Sequence, residues 1–106
     1  MSKQIRLSDR EVQAIQKIFL RYFGGEDHIW LFGSRTDLSK RGGDIDLYIE
    51  TKIDDLSEIS DKKIKFLVDL KSEIGDQKID IVLRRLLSHD NLPIYDEARN
   101  SGVMLI

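Results

Sequence analysis

Apolar residues in this chain recur at two different spacings, and the switches between those spacings cut it into short elements that pack as a mixed layer of helices and strands. From Asp44 to Glu50 the spacing is two: Ile45, Leu47 and Ile49 share one parity, and Asp44, Asp46, Tyr48 and Glu50 share the other. Lys78 to Leu83 repeats the alternation, with Ile79, Ile81 and Leu83 set against Asp80 and Val82. Both segments are therefore expected to be strands. Between them, from about Ser57 to Ile74, the residues Ile59, Phe66, Leu67, Leu70 and Ile74 return to helical period, and Gly75 supplies the stop.

The remaining segments carry their own signals. Ser8 and Glu11 have the spacing of a capping box, and Leu7 with Val12 has that of a hydrophobic staple, so a helix is expected to start there. Val12, Ile15, Ile18, Phe19 and Tyr22 give it an apolar stripe, and Gly24-Gly25 ends it. Ile29 to Phe32 is a short apolar run closed by Gly33, which reads as a buried strand followed by a loop or short helix. A last helix is expected to open near Asp90-Asn91, with Pro93 in its first turn, and to end by Gly102. The apolar tail Val103–Ile106 suits either a final strand tucked onto the protein's own core or part of an interface. The resulting order, α-β-α-β-α-β-α, describes a small α/β (α+β) domain with a mixed sheet of three or slightly more strands. Residues 1–106 form one unit without repeats or linkers.

Composition narrows the function classes. A formal net charge of -2 offers no global positive field to hold nucleic acid by its phosphates, so non-specific DNA or RNA binding is not expected. The absence of cysteine removes disulfides, thiolate metal sites and cysteine nucleophiles together, and it suits a reducing compartment. No apolar run is long enough for a signal peptide or a membrane span, so a cytoplasmic protein is expected.

Three features carry potential chemistry: Gly33-Ser34 at a strand end, Asp44-Ile45-Asp46 on the next strand, and Asp80 within a third. Asp44 and Asp46, two residues apart on a strand, project from one face at a separation of roughly 6 to 7 Å. Asp80 also lies opposite the apolar parity, so if its strand is a neighbour three carboxylates converge. Two like charges at 4 Å repel by about 1 kcal/mol in water and several times more at a protein surface, so such a cluster calls for cations. Two magnesium ions, which are hard and seek oxygen, would neutralise it and bridge phosphate oxygens. A glycine at the strand end lets the backbone approach a ligand, and the N–H groups and hydroxyl of a turn opening at Ser34 suit phosphate oxygens. Arg35, Lys40 and Arg41 add local positive charge. Each feature also has a plain reading. An isolated Asp-x-Asp is usually a solvated strand face, Asp80 can pair with Lys78 or an arginine, and Gly-Ser can be an ordinary capped turn. Three aspartates inside strands at matching parity weaken those readings, because aspartate is disfavoured there. His28, ahead of a strand, and His89, in a loop, read as surface residues.

In these residues the chain resembles the minimal nucleotidyltransferases (MNT) of the DNA polymerase beta superfamily. The resemblance is carried by Gly33-Ser34-Arg35-Thr36, by Arg41-Gly42-Gly43-Asp44-Ile45-Asp46-Leu47 and by Lys78-Ile79-Asp80-Ile81-Val82. The segment from Pro93-Ile94-Tyr95 through Ala98-Arg99 to Ser101-Gly102-Val103 is similar to that family's usual end, so nearly the whole chain is covered. The resemblance implies the nucleotidyltransferase fold and transfer of AMP from ATP to an acceptor hydroxyl. Gly33, Ser34 and Arg35 would hold the triphosphate. Asp44 and Asp46 would bind two magnesium ions, and Asp80 would complete the site of the metal that activates the acceptor and take the acceptor's proton. The family's small members often accompany a helical HEPN protein, commonly an RNase toxin. The resemblance thus implies an antitoxin of a toxin–antitoxin pair that adenylylates a tyrosine of its partner. Two alternatives stand beside it: a catalytically silent module that neutralises a HEPN partner by contact alone, and transfer to a small molecule such as an antibiotic, which a chain this short gives little surface to bind.

Overall fold

The computed structural model describes residues 5–36, 43–88 and 90–106, apart from the side chain of residue 34. The first helix, α1, spans Asp9–Tyr22. Its N-cap is Ser8, and both halves of the capping box form: the Glu11 amide donates to Ser8 Oγ at 3.1 Å, and the Ser8 amide donates to Glu11 Oε1 at 3.0 Å. Two of the amides left free at a helix start are thereby satisfied. Leu7 and Val12 both pack against the core. The helix ends at Tyr22, two residues before the expected glycines, with Phe23 extended at the C-cap.

Strand β1, His28–Phe32, follows, then a short 3-10 helix over Gly33–Thr36, closed by the Thr36 hydroxyl donating to the Gly33 carbonyl at 2.7 Å. Strand β2 runs from Ile45 to Thr51, one residue later than its alternation suggests. Helix α2, Leu56–Ile74, is capped by Asp55, whose carboxylate accepts from the Ser57 and Glu58 amides, and it stops at Gly75. Strand β3 spans Ile79–Arg85, helix α3 spans Pro93–Ser101 with the proline in its first turn, and Val103–Met104 form a last strand, β4.

The four strands lie in the order β3-β2-β1-β4. β1 is antiparallel to both β2 and β4, whereas β2 and β3 are parallel, as a strand–helix–strand crossover through α2 requires. The expected order of elements is present with one addition, β4, which resolves the apolar tail as an edge strand beside Trp30 and Leu31.

The sheet separates two apolar clusters. On one face Ile29, Leu31, Ile45, Leu47 and Ile49 pack with Ile15, Ile18 and Phe19 of α1 and Phe66 and Leu70 of α2, all without solvent exposure. Each such side chain contributes on the order of 1.5–3 kcal/mol relative to its exposed state. On the other face Trp30, Phe32 and Tyr48 pack beneath Tyr95 and Ala98 of α3. The second cluster bears on the plain reading of a solvated strand face: the parity that carries Asp44, Asp46, Tyr48 and Glu50 is covered at its middle by α3. Among the described residues, no helix is long and apolar enough to cross a membrane.

Candidate functional site

The acidic residues gather at one end of the α3-bearing face. In the parallel β2–β3 pair, Asp46 is in register with Asp80, and registered residues direct their side chains to the same side of a sheet. Asp44 lies just ahead of β2, where the Ile45 amide donates to the Lys78 carbonyl at 3.0 Å. Its carboxylate faces Lys78, with Nζ 3.4 Å from Oδ2. Lys78, one of the partners open to Asp80 on sequence alone, thus pairs with Asp44. Asp44 and Asp46 are partly buried, and Asp80 is exposed.

These charges act on one another. Partial burial raises the pKa of Asp46 above the ordinary carboxylate value, the neighbouring Asp80 and Asp44 push it further up, and Lys78 opposes them. Desolvation and like charge both disfavour the anion, as expected for a carboxylate beside two others. Among the described residues, no three acidic or imidazole side chains are drawn close enough to enclose an ion as they stand. What this site offers is a set of hard oxygen donors whose mutual repulsion Lys78 offsets only in part, since the Asp46 pKa remains raised.

The 3-10 turn reaches the same place from the other side. Phe32 is in register with Asp46 across the antiparallel β1–β2 pair, so the next residue, Gly33, meets the Asp46 side chain. Gly33 has a positive φ of 78°, and a Cβ built there would be driven into the carboxylate, 3.1 Å from Cγ. Only a glycine combines that backbone angle with that approach. Ser34 lies within the turn, one residue beyond.

Arg35 is engaged elsewhere. Its Nη1 donates to the Arg6 carbonyl at 2.9 Å, its Nη2 to Gln77 Oε1 at 3.2 Å, and its Nε to the Gly43 carbonyl at 3.4 Å. Gln77 in turn donates to Glu11 at 2.8 Å, so Arg35 braces the turn against α1 and the start of β3. Lys40, Arg41 and His89 lie outside the described residues. His28 is the first residue of β1 rather than preceding it, with Nδ1 3.2 Å from the Ile106 carbonyl and its ring beside Trp30, so it serves the far end of the sheet.

Further along the same face lies a polar network that no residue pattern announced. Tyr48, fully buried, donates its hydroxyl to Glu50 at 2.7 Å, and Glu50 is itself only 4% exposed. Arg99 approaches Glu50 at 3.5 Å and stacks over Trp30, and Arg84 stacks over Tyr95. Burial and the Glu50 carboxylate raise the Tyr48 pKa, which keeps the phenol protonated and donating. The one available signal was that Tyr48 and Glu50 share parity with Asp46, which fixes their face but not what covers it.

No protein-family model matches the chain, and no curated protein matches it significantly, so the reading of this site rests on its own residues.

Proposed function

We propose that the chain is a magnesium-dependent nucleotidyltransferase that moves AMP from ATP to an acceptor hydroxyl. The observation that carries this reading is the register of Asp46 with Asp80, with Asp44 beside them and the backbone of Gly33 against the Asp46 carboxylate. Asp44, Asp46 and Asp80 would hold the metal, and the turn at Gly33-Ser34 would receive the phosphates through its backbone amides. Magnesium bound there supplies charge neutralisation of the triphosphate and a more acidic acceptor hydroxyl. The acceptor oxygen forms a bond to the α-phosphorus, the bond from that phosphorus to the bridging oxygen of the β-phosphate breaks, and pyrophosphate leaves. The acceptor proton passes to Asp80, which is exposed in the single chain. A tyrosine on a helical HEPN toxin is the acceptor we favour, which makes this chain the antitoxin.

The test is incubation with labelled ATP, magnesium and the protein encoded next to it. Label should pass to that protein, and Asp44→Ala or Asp46→Ala should abolish the transfer; transfer undiminished in both variants would refute the site.

One observation favours a second reading, neutralisation of the toxin by contact alone: Lys78 already neutralises Asp44 without any metal. This reading expects the same aspartate variants to neutralise the partner as well as the unaltered chain does.

A further inference from the structure

β3 is an edge strand: β2 occupies one of its sides, and among the described residues no strand pairs with the other. The Ile45 amide donates to the Lys78 carbonyl and the Leu86 amide to the Thr51 carbonyl. Even-numbered residues of β3 therefore direct their peptide groups to β2, and Ile79, Ile81, Leu83 and Arg85 direct theirs outward. Seven residues of open ladder template strand addition unless something blocks it.

Charged side chains commonly do the blocking, and this strand carries Asp80, Arg84 and Arg85. Their positions, however, suit a particular partner. In an antiparallel ladder the outward peptide groups of one strand must meet outward groups of the other, so a strand paired with its own copy has its two-fold axis through a residue. With the axis at Val82, all seven residues overlap and Ile81 stands opposite Leu83. Asp80 then stands opposite Arg84 of the second copy, and the same pair recurs across the axis. These are non-hydrogen-bonded positions, where opposing side chains are closest. Moving the axis to Ile81 sets Lys78 opposite Arg84, and moving it to Leu83 sets Asp80 opposite Leu86, so the neighbouring registers lose the match. In the single copy the Arg84 guanidinium lies over the Tyr95 ring with Tyr48 and Glu50 beside it, and its buried Nε has no hydrogen-bond partner among the described residues, so the pair with Asp80 of the second copy requires the guanidinium to turn toward the edge.

We infer that two copies of this chain associate edge to edge through antiparallel β3 strands centred on Val82, forming one continuous eight-stranded sheet with two Asp80–Arg84 pairs across the axis. Roughly eight backbone hydrogen bonds would join the copies. The association is isologous and closes on itself, which uses up the exposed edge without leading to fibres. It is tested without substrate, and it draws on the Asp80 carboxylate that the proposed transfer also uses, so dimerisation and transfer compete for that group.

The experiment is sedimentation of the whole chain from micromolar to millimolar concentration, with folding of each variant checked by circular dichroism. The unaltered chain should form dimers. Asp80→Arg, at an exposed position, should weaken them on the order of tenfold or more by setting like charges opposite each other twice. Arg84→Asp should do the same, and the double variant Asp80→Arg/Arg84→Asp should restore dimerisation. A second measurement needs no variant: the Ile81 and Leu83 amides should be protected from hydrogen exchange at high concentration and lose that protection on dilution, while the Val82 amide, bonded to β2, stays protected at both. A chain that remains monomeric throughout, a dimer indifferent to Asp80→Arg, a folded double variant that fails to recover, or Ile81 and Leu83 amides whose exchange ignores concentration would each overturn the inference.

Discussion

Asp46 and Asp80 stand opposite one another on the parallel neighbours β2 and β3, with both side chains on the face that also carries α3. Placing two carboxylates in register, with a third adjacent, is unfavourable in the absence of a cation, and that cost makes the arrangement testable without knowing any substrate.

The first consequence is a pH dependence of stability. Asp46 has a folded pKa above its ordinary value, so the folded state holds the proton more tightly than the unfolded chain does. The resulting stabilisation is fully present below the unfolded carboxylate value and is lost as pH rises through the raised folded value. At neutral pH the charge is therefore a net burden, and Asp46→Asn should stabilise the protein. Solvent screening of this partly exposed group limits the gain to about 0.5 kcal/mol. Urea denaturation at pH 7 should show the increase, and the two proteins should converge below the ordinary carboxylate pKa of about 3.9.

Divalent cations should relieve the same repulsion. Magnesium with ATP at about 100 times their dissociation constants is expected to add about 2.7 kcal/mol to stability, and a chelator should remove it. Thermal melting reads this directly. The shift should be absent in Asp44→Asn/Asp46→Asn, and a flat response in the unaltered chain would count against nucleotide binding.

Gly33→Ala tests the turn. The substitution combines a positive φ with a Cβ driven into the Asp46 carboxylate, so a destabilisation of about 1–3 kcal/mol is expected in denaturant. The side chain of Asp46 must also move to admit the methyl group. Any nucleotide-induced melting shift should therefore fall along with stability, whereas the capping variant Ser8→Ala should cost about 1 kcal/mol and leave that shift intact.

Tyr48→Phe probes the network under α3. It removes the hydroxyl that donates to buried Glu50 and leaves that carboxylate with one partner fewer. A loss of about 1–3 kcal/mol is expected by urea denaturation. Glu50→Gln, which still presents an acceptor to the phenol, should cost less than Tyr48→Phe.

Much of this was legible in the chain itself, because it depends on neighbours in sequence. Ser8 and Glu11 are three residues apart and cap α1 as their spacing requires. Pro93 and Gly102 bracket α3 because one fixes a backbone angle suited to a first turn and the other follows the last. The candidate site was legible to the same depth. Asp46 and Asp80 could be assigned to the polar parity of their strands, and Gly33 to a strand end.

What lay beyond reading was anything set by distant partners. Alternation assigns Tyr48 and Glu50 to a face, but only the return of the chain as α3, bringing Tyr95 and Ala98, decides that this face is buried at its middle and open at the aspartates. In the same way, Lys78 was available to either Asp44 or Asp80, and the pairing of Ile45 with Ile79 brought it to Asp44. Arg35 looked like a loose cation beside a phosphate turn until Arg6 and Gln77 arrived to engage it.

The sequence by itself determined the main elements, their ends to within a few residues and the parity of each acidic residue, since caps, stops and alternation are short-range effects of backbone sterics and local hydrogen bonding. Tertiary structure alone decided that β2 and β3 are neighbours in a register that sets residue 46 against residue 80, and that β3 is left at the edge. Strand order and register follow from burying two apolar faces at once, a condition that involves the whole chain and that no local pattern contains.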